Sequence, residues 1–258
     1  MCVPPMAWDD RIDALVRLAE DEGKTVRVVL GLRHRPFFRD KFDEFDGLPV
    51  YSMEAGPDRT VAMFAKRPID GGVAGLGLML LSPVLALVAL AILLADGRPV
   101  LPAQERIGLH GRRFRMLKFR TMVRGAELML PDVLNLNQIV GPGFQLDDDP
   151  RVTRLGRILR KTSLDELPQL WNVLVGDMSI VGPRPAPLTE VAAYDVWHRR
   201  RLSTRPGITG LAQVEARSYR EFDEKANLDL LYIDRWSLAL DFRILIRTVR
   251  VLVRMNGR

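Results

Sequence analysis

Two carboxylates stand side by side at Asp165 and Glu166, inside the run Ser163-Leu-Asp-Glu-Leu-Pro-Gln-Leu. Two acids in the first turn of a helix are ordinary capping, because unpaired N–H groups and the helix dipole favour ionised carboxylates there. Their setting argues for more. Arginines and a lysine gather on both sides of the pair, a composition suited to anions, and an acid placed among anion-binding cations needs a reason.

Those cations are concentrated. Between Gly97 and Arg124 there are eight basic residues and one acid, Glu105. Arg113, Arg115, Leu117 and Phe119 alternate with Phe114, Met116, Lys118 and Arg120, the pattern of an exposed β-ribbon with a charged edge. A solvated or lipid-facing surface would also account for that density. The chemical reading is that several of these side chains bind phosphate oxygens, guanidinium in bidentate fashion and ammonium as a point charge. In Val181-Gly-Pro-Arg-Pro, two prolines and a glycine hold Arg184 on a stiff turn, a frame that a mobile surface arginine would not need.

The elements that must position these residues follow from the pattern around them. Ser163 as N-cap and Glu166 three residues on predict a capping box, followed by an apolar face through Leu167, Leu170, Trp171 and Leu174. Pro168 is tolerable near a first turn, where few backbone bonds are lost. Upstream, the 25 positions from Gly71 to Ala95 carry no charge and one polar side chain, Ser82. At about 1.5 Å per residue such a helix can cross a bilayer's hydrocarbon core. Ser82-Pro83 falls at its midpoint, where proline breaks a hydrogen bond, and Lys66, Arg67 and Arg98 flank it on both sides. A kinked hairpin that enters and leaves by one face satisfies both observations, and a plain kinked transmembrane helix remains the alternative. Near the C-terminus, Arg243, Arg247, Arg250 and Arg254 share one face of a helix otherwise filled by Ile244, Leu245, Val249, Leu252 and Val253. That helix suits an anionic lipid interface or a packed partner helix equally.

Three regions result: a small α/β piece over 1–60, a membrane segment over 61–96, and a basic region of short strands and helices over 97–258. In the first, Ile12, Leu15, Val16 and Ala19 make a helical stripe, and Thr25–Leu32 and Leu48–Ser52 read as strands. The expected fold class is therefore a helix-rich mixed α/β chain with surface amphipathic helices. A formal net charge of +6 over 258 residues suggests an anionic partner such as nucleic acid, a phosphorylated substrate or acidic lipid. One cysteine, Cys2, excludes a disulfide framework, and His34, His110 and His198 lack metal-ligand spacing, so no zinc site is expected. No basic stretch followed by an apolar run opens the chain, so no secretory signal is expected.

Read together, the motifs resemble the bacterial sugar transferases, monotopic phosphoglycosyl transferases that start polysaccharide assembly on a lipid carrier. The likeness runs from about Leu48 to Arg254. It is carried by Lys66-Arg-Pro-Ile-Asp, Gly97-Arg-Pro-Val, Gln104-Glu-Arg-Ile-Gly, Lys118-Phe-Arg-Thr-Met and Asp149-Pro-Arg-Val-Thr. Arg160-Lys-Thr-Ser-Leu-Asp-Glu-Leu-Pro-Gln-Leu, Gly176-Asp-Met-Ser, Val181-Gly-Pro-Arg-Pro, Arg205-Pro-Gly-Ile-Thr-Gly and Trp236-Ser-Leu complete it.

The resemblance implies transfer of a sugar phosphate from a UDP-sugar to polyprenyl phosphate, with release of UMP. It implies Asp165 as nucleophile forming a covalent phosphosugar intermediate, Glu166 as its partner acid, and Mg2+ beside the pair with Asp165 as a ligand. Lys118, Arg120, Arg184 and Arg205 are then expected to share charge on the phosphoryl oxygens. Ser82 and Pro83 become the break of a re-entrant helix at the cytoplasmic face of the bacterial inner membrane. Membrane lipid is an expected partner and nucleic acid is not. Two departures stand out. Leu211-Ala-Gln-Val follows Thr-Gly where relatives often carry tryptophan, and the four transmembrane helices that precede this region in larger members are not expected here. The N-terminal piece then resembles the end of their nucleotide-binding-like domain, leaving a homodimer open. Two other classes remain: a non-catalytic basic membrane-surface module, and a glycosyltransferase that releases the nucleoside diphosphate.

Overall fold

The computed structural model describes the backbone of residues 38–45, 48–55, 60–216 and 219–253, and side chains within 65–216 and 219–251. The helical stripe from Ile12, the strand Thr25–Leu32, and Cys2, His34 and Arg254 lie outside the described residues.

The strand expected over Leu48–Ser52 extends to Ala55. As β2 (Leu48–Ala55) it pairs antiparallel with β1 (Phe38–Phe45), with Phe45 opposite Leu48. The partner was hidden in the sequence because charges at Arg39, Asp40, Lys41, Asp43 and Glu44 break its apolar alternation.

Helix α1 (Thr60–Ala95) runs for 36 residues and contains Pro68 and Pro83. The most apolar window within Ala65–Ala95 is only 11% buried in the protein, and among the described residues one helix is long and apolar enough to cross a membrane. Leu87 and Leu94 are 69% and 78% exposed, an arrangement that water would penalise and lipid would not. The helix continues through Ser82-Pro83. Pro83 has no N–H to offer the Met79 carbonyl four residues back, and the Ser82 hydroxyl donates to that carbonyl instead, at 2.8 Å.

One side of α1 packs on the remainder of the chain. Ala74, Val88 and Ile92 are buried, and Gly75 and Gly77 let Leu174 and Leu170 come close. Near the helix start a polar network replaces apolar contact. Lys66 pairs with Asp241 and Asp70, Asp70 accepts from the Ser179 hydroxyl at 2.6 Å, and Asp241 accepts from Tyr232 and Trp236.

Beyond α1 the described strands are short. β3 (Ala103–Ile107) and β4 (Arg113–Leu117) form an antiparallel hairpin, and β5 (Ser179–Val181) lies parallel to β6 (Gly207–Thr209). The expected alternation holds through β4, where Met116 is buried while Arg113 and Arg115 are exposed. Helices α2 (Leu130–Val133), α3 (Arg154–Thr162), α4 (Gln169–Val175), α5 (Leu188–Ala192), α6 (Leu211–Glu215), α7 (Phe222–Asp234) and α8 (Leu238–Val253) surround these ladders. Met116, Leu170, Val173, Met178, Val181 and Ile233 form their shared core. Helix α8 buries Ile244 in that core and pairs Arg247 with Glu215, while Phe242 and Val249 stay 64% and 58% exposed. It packs on one side and leaves an apolar strip on the other.

Candidate active site

Asp165 and Glu166 sit in a single 3-10 turn, Leu164–Glu166, between α3 and α4. The expected capping box does not form. Ser163 is left-handed (φ 54°, ψ 19°) and makes no side-chain cap, because it already ends α3, its N–H donating back to the Arg160 and Leu159 carbonyls. A residue spent as a C-cap cannot adopt the extended backbone an N-cap requires. The N-cap signal belongs instead to Thr153, whose hydroxyl accepts from the Gly156 N–H at the start of α3. Pro168 stands immediately before α4, where its missing N–H costs nothing.

This break in the helix pins the acids to the basic strand. The Asp165 carbonyl accepts from the Phe119 N–H at 3.0 Å, which aligns the turn with Lys118-Phe-Arg-Thr-Met. Asn172 in α4 tightens the same junction, its amide accepting from Leu117 N–H and donating to the Arg115 carbonyl. Lys118 consequently places its ammonium 2.9 Å from Asp165 Oδ2 and 3.3 Å from Glu166 Oε1. Arg160, at the end of α3, donates to the Thr121 hydroxyl at 3.0 Å and adds positive field at Asp165.

The two acids are not equivalent. The Asp165 side chain is 3% exposed and that of Glu166 25%. Burial pushes the Asp165 carboxyl above the usual carboxylate range, opposed by Lys118 and reinforced by Glu166. Glu166 and Lys118 line a shallow cleft with Arg106, Met116, Gln169 and Arg184, and Asp165 is set back from it beneath Lys118. Arg184 is exposed on a turn whose neighbours Pro183 and Pro185 are buried, as its proline frame suggests.

Two expected phosphate ligands go elsewhere. Arg120 is 6% exposed and donates to the Gly97 carbonyl beyond the end of α1, and Arg205 donates to the Gly176 carbonyl past the end of α4. Neither lines the cleft. Arg106, Arg160 and Gln169 were not singled out from sequence. For Arg106 a signal existed: it pairs across the hairpin with Phe114, as Gln104 does with Met116, so it shares Met116's inward face.

Among the described residues no group of three or more His, Cys, Asp or Glu could hold a metal. The donor set is two adjacent carboxylates with a cationic side chain between them. Magnesium is commonly held by one or two carboxylates with substrate phosphates completing its shell, so Asp165 and Glu166 fit that ion once a phosphate is present.

The structure thus sets a helix long and apolar enough to cross a membrane beside a cationic cleft with paired acids. The chain belongs to the bacterial sugar transferase family, whose model matches residues 61–255. It is 40% identical over 220 residues to the galactosyl transferase CpsE of Streptococcus agalactiae, covering 84% of this chain and 48% of that protein. It is 38% identical to the exopolysaccharide production protein ExoY of Sinorhizobium fredii, covering 79% of this chain and 92% of ExoY. It is 35% identical over 251 residues to the UDP-glucose:undecaprenyl-phosphate glucose-1-phosphate transferase of Escherichia coli, covering 93% of this chain and 51% of that enzyme. The chain thus spans about half the length of two of these relatives and nearly all of the third.

Proposed function

We propose that this chain transfers a sugar 1-phosphate from a UDP-sugar to polyprenyl phosphate, yielding polyprenyl-diphosphate-sugar and UMP, as the first membrane step of exopolysaccharide assembly. The observation that carries the proposal is the Asp165–Lys118–Glu166 cluster beside a cleft bearing Arg184, in a chain of this family.

In the first step Asp165 attacks the sugar-bearing phosphorus. One carboxylate oxygen forms a P–O bond, the bond to the bridging oxygen breaks, and its electron pair leaves on UMP. In the second step an oxygen of polyprenyl phosphate attacks the same phosphorus and Asp165 departs as carboxylate. Splitting the transfer lets the nucleotide leave before the lipid reacts. A carboxylate approaching a diphosphate meets strong repulsion. Lys118 offsets it by shifting from the acids to the phosphoryl oxygens, with Arg184 taking charge from the open side. Mg2+, held by Asp165 and Glu166, would supply further charge neutralisation when bound. Glu166, the more exposed acid, orients the phosphate-bearing assembly at the cleft mouth.

The long helix gives this chemistry its location. Bent within the continuous helix at Ser82-Pro83, so that both of its ends stay at the cytoplasmic face, it would hold the cleft level with the lipid headgroups. The deciding experiment measures nucleoside monophosphate release by nanodisc-embedded protein supplied with polyprenyl phosphate, magnesium and a panel of UDP-sugars. UMP released by wild type and absent with Asp165→Asn is the expected result. UDP release would replace the mechanism with simple sugar transfer, and activity surviving in Asp165→Asn would remove Asp165 as nucleophile.

A further inference from the structure

Arg106 and Arg120 both keep buried guanidinium nitrogens without a hydrogen-bond partner, and of the two only Arg106 lines the cleft. It projects from β3 onto the inward face of the hairpin and lines the cleft together with Lys118, Glu166 and Arg184. One guanidinium nitrogen donates to Gln104 Oε1 at 3.1 Å, while the Nε is fully buried with no hydrogen-bond partner. Burial and then the neighbouring Arg184 guanidinium pull Arg106 down to about 10, and Glu190 and Glu127 offset this only in part. An orphaned buried donor costs stability, and two guanidinium groups set beside one another repel. Proteins keep such an arrangement where an anion completes it.

Which anion follows from position. Lys118 and Glu166 line the cleft with Asp165 set back behind Lys118, and the sugar-bearing phosphorus must lie beside that cluster to be attacked. Arg106 stands opposite Phe114, four residues before Lys118, which follows the end of β4, with Met116 between them on the same face. At about 3.4 Å per residue Arg106 is offset along the hairpin from Lys118, so within the cleft it meets a part of a diphosphate donor other than the attacked phosphorus. We propose that Arg106, paired with Arg184, binds the phosphate of the departing nucleoside monophosphate. It holds the nucleotide half of the donor and takes the charge that appears on the bridging oxygen as the P–O bond breaks. The inference rests on the reading of the chain as a sugar-phosphate transferase.

The test uses full-length protein in nanodiscs, with Arg106→Gln and Arg106→Lys. In Arg106→Gln, the KM for the UDP-sugar and the inhibition constant for added UMP should both rise about tenfold to a hundredfold, the loss typical of a hydrogen bond to a charged group. Inhibition by uridine, which lacks the phosphate, and the KM for polyprenyl phosphate should stay within twofold of wild type. Arg106→Lys should recover part of the loss by restoring the charge without the planar fork, and it carries the test if the glutamine variant does not fold. Unchanged UMP inhibition would overturn the inference, as would a rise in the KM for the lipid phosphate in its place. Failure of wild type to release UMP would instead refute the transferase reading. In that case equilibrium binding of UMP to wild type and Arg106→Gln still decides the subsite, equal affinity overturning it.

Discussion

Gly156→Ala should disable the enzyme although it adds one methyl group nine residues from the nearer acid. A Cβ at Gly156 would lie 2.0 Å from the Thr121 carbonyl oxygen, 2.7 Å from its carbonyl carbon and 2.8 Å from its Cα. Carbon–oxygen contacts settle near about 3.3 Å, so α3 and the Thr121 backbone must part by roughly 1.3 Å. Both are backbone elements, and neither can yield by rotating a side chain. Parting them strains the Thr153 N–H bond to the Thr121 carbonyl and the Arg160 bond to the Thr121 hydroxyl. Alanine inside a helix gains about 1 kcal/mol over glycine. Overpacking costs about 1–3 kcal/mol and a weakened hydrogen bond about 1 kcal/mol more, so destabilisation wins by roughly 1–3 kcal/mol.

The larger effect is on rate. The same segment after β4 carries Lys118, and the turn after α3 carries Asp165. A shift of about 1 Å between them is worth roughly a hundredfold in turnover. The assay is UMP release together with the apparent melting temperature of nanodisc-embedded protein. Gly72→Ala provides the control, because nothing lies within 4 Å of the added Cβ. A Gly156→Ala enzyme within twofold of wild-type turnover, melting at the wild-type temperature, would refute the close approach and the coupling drawn from it.

Three further outcomes are expected. Asp165→Asn should be inactive yet melt higher than wild type at pH 7 in EDTA. A carboxyl raised in the folded state loses stability as pH rises from its ordinary value of 3.8 through the raised one; the advantage should therefore vanish below 3.8, and a lower melting temperature at pH 7 would contradict the burial cost. Asn172→Ala strands the Leu117 N–H and the Arg115 carbonyl, at about 1–3 kcal/mol each, and a denaturation midpoint equal to wild type would show that water replaces the amide. Lys66→Met leaves Asp241 buried without its cation, a loss of about 3–5 kcal/mol that the double variant with Asp241→Asn should partly restore, both read as resistance to limited proteolysis.

The sequence exposed the chemistry more readily than the local geometry. Adjacent acids among cations are visible in any linear reading, and the Phe114–Met116 alternation marks a ribbon because burial enforces a period of two. Ser163 misled because serine suits either end of a helix, and the choice was made by α3, whose last carbonyls claimed its N–H. Long cations were harder still. Arg120 and Arg205 sit in motifs rich in phosphate-binding residues, yet each reaches a backbone carbonyl, Gly97 or Gly176, that only the tertiary fold brings near. Arg106 shows the converse. Its place on the inward face was implied by spacing from Met116, but its unpaired Nε and its proximity to Arg184 depend on the cleft.

Helix α4 joins the apolar anchor to the acids mechanically. Arg67 of α1 donates to the Val173 and Leu174 carbonyls, both at 2.7 Å, holding the C-terminal end of α4, where a cation also complements the helix dipole. Gly77 of the same long helix faces Leu170 near the other end. Only the four helical residues Gln169–Asn172, about 6 Å, therefore separate the arginine clamp from the segment leading out of the turn that carries Asp165 and Glu166. With Asn172 binding that short helix to β4, displacement of α1 relative to the core moves the acids and Lys118 together rather than apart. The anchor thus sets where the cluster sits without setting its internal geometry, as the proposed transfer from a water-borne donor to a lipid-borne acceptor requires.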